Sequence, residues 1–173
     1  ELAKAKETMP EIHNKATKIK YPKSAIDNGK KDEYQTVLLK HMKEKKPYLK
    51  EDITLKDLAD ELSIPPHHLS IVINERLKQN FYNFINSYRV NDVIEKLCDP
   101  AHSEKNILNL AYESGFNSKA TFNMAFKNIT GKTPSEYKRS TNNWFSENSE
   151  YPAIPIFFRL PLQGKTTILK NRI

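Results

Sequence analysis

Apolar residues recur along this chain at the three- and four-residue spacing of α-helices, in blocks punctuated by proline, glycine and capping residues. In EYQTVLLKHMKEKKPYL, Val37, Leu38 and Met42 share one helical face, and Pro47 stops the helix. In ITLKDLADELSIPPHHLSIVINERL, Thr54 and Asp57 have capping-box spacing and start a helix whose buried face is Leu55, Leu58, Ala59 and Leu62. Pro65 and Pro66 stand where a second helix begins, because a proline in the first turn gives up no intrahelical hydrogen bond. Leu69, Val72 and Ile73 then turn to the core. Two short helices joined by a tight turn make a helix-turn-helix.

NFYNFINSYRVNDVIEKL is the longest periodic stretch. Phe81, Phe84, Ile85, Tyr88, Val93, Ile94 and Leu97 form its apolar stripe, and Asp99-Pro100 ends it. At helical rise it spans about 25 Å. Beyond it, Ile107, Leu110 and Ala111 face inward, and Gly115 takes the left-handed position that stops their helix. Asn117 or Ser118 caps the next helix, which buries Phe122, Ala125 and Phe126 and runs to about Ile129. Gly131 stops it in the same way. Thr133-Pro134-Ser135-Glu136 is a further capping box and starts a short last helix through Tyr137. This is a second helix-turn-helix. The expected fold is therefore all-α with about seven helices: two helix-turn-helix subdomains joined by a long linker helix, with irregular N- and C-terminal extensions.

The expected boundaries follow. Residues 1–31 are Lys-rich, contain Pro10, Pro22 and Gly29, and show no sustained period, so they read as a basic linker with room for a short helix near the start. Residues 32–80 hold the first helix-turn-helix, 81–98 the linker helix and 99–139 the second helix-turn-helix. Residues 140–173 contain three prolines and alternating apolar residues. They are left as a C-terminal extension: a short strand, a packed arm or unstructured chain.

Charge sharpens this picture only locally. The formal net charge is +7, which favours a polyanionic partner, nucleic acid or acidic lipid. Much of it comes from the ends, because residues 32–139 carry 16 basic against 15 acidic side chains. Within residues 117–139, however, Lys119, Lys127, Lys132, Lys138 and Arg139 face Glu136 alone. A single cysteine, Cys98, excludes an internal disulfide and reads as a buried thiol beside Leu97. There is no signal-peptide pattern and no apolar run of about 18 residues. Because the first residue is Glu, the expectation is a piece of a longer protein.

LADELSIPPHHLSIVINERLKQNFYNFINSYRV followed by NILNLAYESGFNSKATFNMAFKNITGKTPSEYKR resembles the DNA-binding domain of AraC/XylS-type transcriptional regulators. Ala111, Gly115-Phe116, Phe122, Phe126-Lys127, Gly131, Pro134 and Tyr137 fall at that family's signature positions, and Arg89 matches its linker-helix arginine. The resemblance covers about residues 34–139. It implies a bacterial, cytoplasmic regulator whose two recognition helices enter successive major grooves of double-stranded DNA, with RNA polymerase as a further partner. KYPKSAIDNGKKDEYQTVLLKHMKEKKPYL is similar to the segment preceding this domain in members with a membrane-embedded sensor. That similarity implies an N-terminal sensor domain, fused or associated, and a tether to the inner membrane in the full-length protein. Nothing in the sequence sets the oligomeric state.

With Phe122, Ala125 and Phe126 committed to the core, Ser118, Lys119, Ala120, Asn123, Met124 and Lys127 point outward. Lys donates to guanine O6/N7, Asn pairs with adenine N6/N7, and Ala120 or Thr121 suits a thymine methyl. The resemblance places base contacts at Lys119, Ala120, Asn123 and Met124 and, in the first unit, at His67, Ser70 and Ile71. Ile71 and Met124 stand where the family often carries Arg or another polar residue. An exposed Ile71 meets a thymine methyl or packs on a partner. Asn74, Ser118, Lys127, Lys132, Lys138 and Arg139 suit phosphates, which position without specifying.

Other chemistry finds little footing. Adjacent His67 and His68 diverge by about 100° on a helix, so no metal site is expected. GKTT at Gly164 lacks the earlier glycine of a phosphate loop. Asn128-Ile129-Thr130 forms a glycosylation triplet inside a helix end. No nucleophile elbow, metal set or catalytic carboxylate pair is present, so neither an enzyme nor a cofactor is expected. The competing reading is a membrane-surface or protein-interaction module built from the basic N-terminal segment and the AIPIFF tail. Residues 1–31 lack the apolar periodicity that an amphipathic membrane helix needs.

Overall fold

The computed structural model describes residues 26–147, and the readings of residues 1–25 and 148–173 lie outside them. The first helix, α1 (Asn28–Lys45), begins ahead of the apolar pattern because Asp27 caps it, its carboxylate accepting from the Lys30 amide at 2.9 Å. Leu38 and Met42 are fully buried, but Val37 is 40% exposed. Neighbouring side chains on a helix point about 100° apart, and α1 is covered on one side only. Lys46 turns left-handed into a 3-10 turn, Pro47–Leu49.

Helices α2 (Leu55–Leu62) and α3 (Pro66–Glu75) form the first helix-turn-helix. The predicted capping box is complete: the Thr54 amide donates to the Asp57 carboxylate at 2.9 Å, and the Asp57 amide donates to the Thr54 hydroxyl at 3.1 Å. The long helix α4 covers Phe81–Cys98, as the periodicity predicts. Helix α5 (Ile107–Glu113) and helix α6 (Lys119–Thr130) form the second helix-turn-helix, and α7 (Pro134–Glu147) closes the unit. The short final helix expected through Tyr137 is thus a long one. No proline or glycine lies between Ser135 and Glu147 to break it once the Thr133–Glu136 capping box has started it. The expected boundary at residue 140 falls inside this helix.

Two cores form, and α4 belongs to both. Its first half sends Phe84, Ile85 and Tyr88 into a cluster with Leu38, Met42, Leu58, Leu69 and Ile73. Its second half sends Val90, Val93 and Ile94 against Leu110, Phe116, Phe122 and Phe126. Each core holds the second helix of one helix-turn-helix, α3 or α6, on the same stiff rod. The described part of the chain is all-helical, and none of its helices is long and apolar enough to cross a membrane.

Candidate nucleic-acid interface

Helix α6 is seated by aromatic edges. Phe116, Phe122, Phe126 and Tyr137 follow one another in edge-to-face contacts of 5.2, 5.5 and 5.4 Å between ring centres. Ser118, rather than Asn117, caps the helix, accepting from the Thr121 amide at 3.3 Å. With one side fixed in this way, Lys119, Ala120, Asn123, Met124 and Lys127 lie on the exposed side. Met124 is 57% exposed, so a thioether, not a cation, stands in the middle of that face. No acidic residue occurs in α6, and its N-terminus adds the positive end of the helix dipole.

Helix α3 differs in chemistry. It carries no Lys or Arg and ends in Glu75. Leu69, Val72 and Ile73 are buried, while His67, Ser70 and Ile71 are half-buried. The Asn74 amide donates to the Ser70 carbonyl at 2.8 Å and to its hydroxyl oxygen at 3.2 Å, so these two predicted contacts act as a joined pair. The first turn of α1 holds the end of α3. Lys31 pairs with Glu75 at 2.8 Å, Arg76 pairs with Asp32 at 2.9 Å, and Arg76 also donates to the Asn28 carbonyl. The Lys31 ammonium holds the Glu75 carboxyl below its ordinary range.

The rings of His67 and His68 approach to 4.1 Å, so the adjacent side chains do not diverge as helical spacing alone suggests. Tyr34 of α1, itself packed against the first core, lies against His68 with ring centres 6.0 Å apart. Burial, and after it the neighbouring His67, pulls the His68 imidazole below its ordinary value. Among the described residues no group of three His, Cys, Asp or Glu is placed to hold a metal ion. Cys98 is half-buried, and burial pushes its thiol up.

The predicted phosphate contacts divide. Lys127, Lys132 and Arg139 are exposed around the end of α6 and on α7. Lys138 is half-buried, its ammonium donating to the carbonyls of Ser103 at 3.5 Å and Lys105 at 3.4 Å. It ties α7 to the loop before α5. Sequence reasoning also missed an uncharged surface. Tyr82, Asn83 and Asn86 of α4 and Met124 and Asn128 of α6 line a cleft of about 300 Å³, with Gln79, just past α3, at its edge. The run of amides in NFYNFINS was the available signal, but the apolar stripe of α4 drew the reading to the opposite face.

Residues 58–140 match the family model described as a helix-turn-helix domain. An uncharacterised HTH-type transcriptional regulator of Staphylococcus aureus is 33% identical over 88 residues, which cover 51% of this chain and 11% of that protein. The regulatory protein PocR of Salmonella typhimurium is 27% identical over 107 residues, 62% of this chain and 33% of that one. The match therefore spans a small fraction of either relative's length. A solved structure of a protein of unknown function from Listeria innocua agrees with a TM-score of 0.50 at 28% identity, covering 61% of this chain and 93% of its own. Residues 58–140, with two helix-turn-helix units set on one shared helix, thus form a helix-turn-helix domain of the AraC/XylS type, similar to that of HTH-type transcriptional regulators.

Proposed function

We propose that the unit formed by α1 to α7 binds double-stranded DNA sequence-specifically, with α3 and α6 in adjacent major grooves, and so regulates transcription. The observation that carries this reading is the pair of cores on α4, each leaving a recognition helix with an unburied face. Grooves on one side of B-DNA repeat about every 34 Å, a spacing that two subdomains on a rod of about 25 Å are suited to. The two helices have unequal tasks. Helix α6, with Lys119 and Lys127 and no acid, supplies charge for phosphates and polar groups for bases. Helix α3 reads through His67, Ser70 and Ile71 with little electrostatic pull. Affinity comes mainly from counterion release where Lys127, Lys132 and Arg139 meet the backbone.

The domain is proposed to reach from the Asp27 cap to the end of α7, wider than residues 32–139. It acts in the cytoplasm, where the DNA is, with RNA polymerase as a second partner and a sensor domain on its N-terminal side. Selection of bound duplexes from a random pool by the full chain tests the reading. The expected product is a bipartite site with half-sites one helical turn apart and sharper preference in the half read by α6. Recovery of sequences without any common element would remove the case for specific recognition.

A further inference from the structure

The two helix-turn-helix units touch beside α4, and the contact is built from backbone. Arg89, 7% exposed, donates from Nε to the Tyr48 carbonyl at 2.8 Å and from Nη2 to the carbonyls of Lys50 at 2.8 Å and Glu51 at 3.1 Å. These three carbonyls belong to the 3-10 turn and the loop that lead into the first helix-turn-helix. The other face of the guanidinium lies 5.8 Å from the ring centre of Phe116, in the turn of the second helix-turn-helix. Gly115 of that turn has φ 90, and a methyl group on it would collide with the Tyr48 carbonyl oxygen and come within 2.9 Å of that of Leu49. The turn of the second unit therefore rests directly on the 3-10 turn of the first.

One turn further along α4, Asp92 repeats the arrangement with opposite charge. It is 5% exposed. Its carboxylate accepts from Ser114 of the second unit at 2.8 Å, pairs with Lys96 at 2.7 Å and faces Lys46, the cap of α1, at 3.6 Å. Lys96 in turn donates to the Ser114 hydroxyl at 3.1 Å. Burying two charges is costly unless each is met by several hydrogen bonds, and here each is. Hydrophobic packing alone would hold each subdomain on α4. It would leave their mutual rotation to soft side chains, whereas directional bonds to backbone do not.

We infer that Arg89 and Asp92 are positioning residues that lock the angle between the two helix-turn-helix units and so set which half-site spacing the protein accepts. This rests on the two-groove reading proposed above. Lysine at position 89 keeps a cation but loses the planar fork that meets three carbonyls.

The test uses the full chain in a Cys98→Ser background, with spin labels at Lys56→Cys on α2 and Asn109→Cys on α5. The label-to-label distance distribution is measured without DNA. In parallel, affinity is measured for the selected duplex and for versions with one base pair added or removed between half-sites. The unaltered protein is expected to prefer the selected spacing by at least about tenfold, the ordinary cost of a misfit. Arg89→Lys is expected to broaden the distance distribution and to shrink that preference to about twofold. Equal weakening at every spacing, with an unchanged distribution, would leave Arg89 a merely structural residue and overturn the inference. Should Arg89→Lys fail to fold, Ser114→Ala removes the hydroxyl that meets Asp92, Lys96 and the Leu110 carbonyl and leaves Arg89 in place. It must shift the spacing preference in the same direction, and no shift overturns the inference. If the unaltered protein selects no bipartite site, the two-groove reading fails, while the distance measurement still decides the lock.

Discussion

Lys119 and Asn123 stand four residues apart on the exposed face of α6, the face proposed to meet base edges, where a lysine and an amide suit guanine and adenine. Lys119→Ala or Asn123→Ala is expected to cost about 1–3 kcal/mol on the selected site and to relax preference at the contacted base pair. Affinity measured on all single-base variants of the site checks this, and an unaltered preference after Asn123→Ala would move the reading face elsewhere. Lys132 lies beyond the helix, in the loop after Gly131. Lys132→Ala should weaken binding to every sequence alike and lower the slope of log affinity against log salt by about one. Lys138 offers the contrast, because its ammonium is engaged with two carbonyls. Lys138→Ala should lower thermal stability and leave the salt slope nearly as it was.

At the scale of elements, the helix starts are chemically explicit and pH-dependent. Asp57 accepts from the Thr54 hydroxyl at 2.7 Å and from its amide, and these bonds hold its carboxyl below the ordinary aspartate value of 3.8. A carboxyl with a lowered folded value contributes stability that is fully present above the ordinary value and is lost as pH falls through the lowered one. Asp57→Asn should therefore melt earlier than the native chain near neutral pH, and the two melting curves should converge in acid. Melting temperatures followed across the acid range would show this, and a constant gap would mean that the capping carboxylate is not responsible. Glu136 at the start of α7 stands in the same relation to Thr133, whose amide and hydroxyl both reach it at 2.8 Å. Gly115 and Gly131 close α5 and α6 in positive φ, where a side chain would be strained.

At the scale of the molecule, two cores threaded on α4 predict one cooperative unit rather than two. Phe126 is fully buried in the second core. Phe126→Ala should cost about 3–5 kcal/mol. Because Val93 and Phe84 share one helix, amide exchange around Leu38 in α1 should quicken along with it. Exchange in α1 that ignores the substitution would show that the subdomains melt separately.

Capping boxes, helix-stopping glycines and the apolar stripe of α4 were legible in the sequence because each acts within a few residues of chain. Ser118, Pro66 and Thr133 do at close range what their residue types allow. Two element ends were misjudged: α1 begins earlier at a capping aspartate, and α7 continues because nothing breaks it, though few apolar residues mark its course. The sequence determined by itself that the chain makes helices, where α3 and α6, the second helices of the two helix-turn-helix units, lie, and which of their residues are spared from the core. It marked Arg89 only through resemblance and did not mark Asp92. Only the tertiary structure decided how the two units are set against each other. The groups that settle it, a guanidinium on three carbonyls and a glycine pressed on another backbone, come from segments far apart in the chain. Main-chain oxygens carry no residue identity, so no pattern of side chains could announce them.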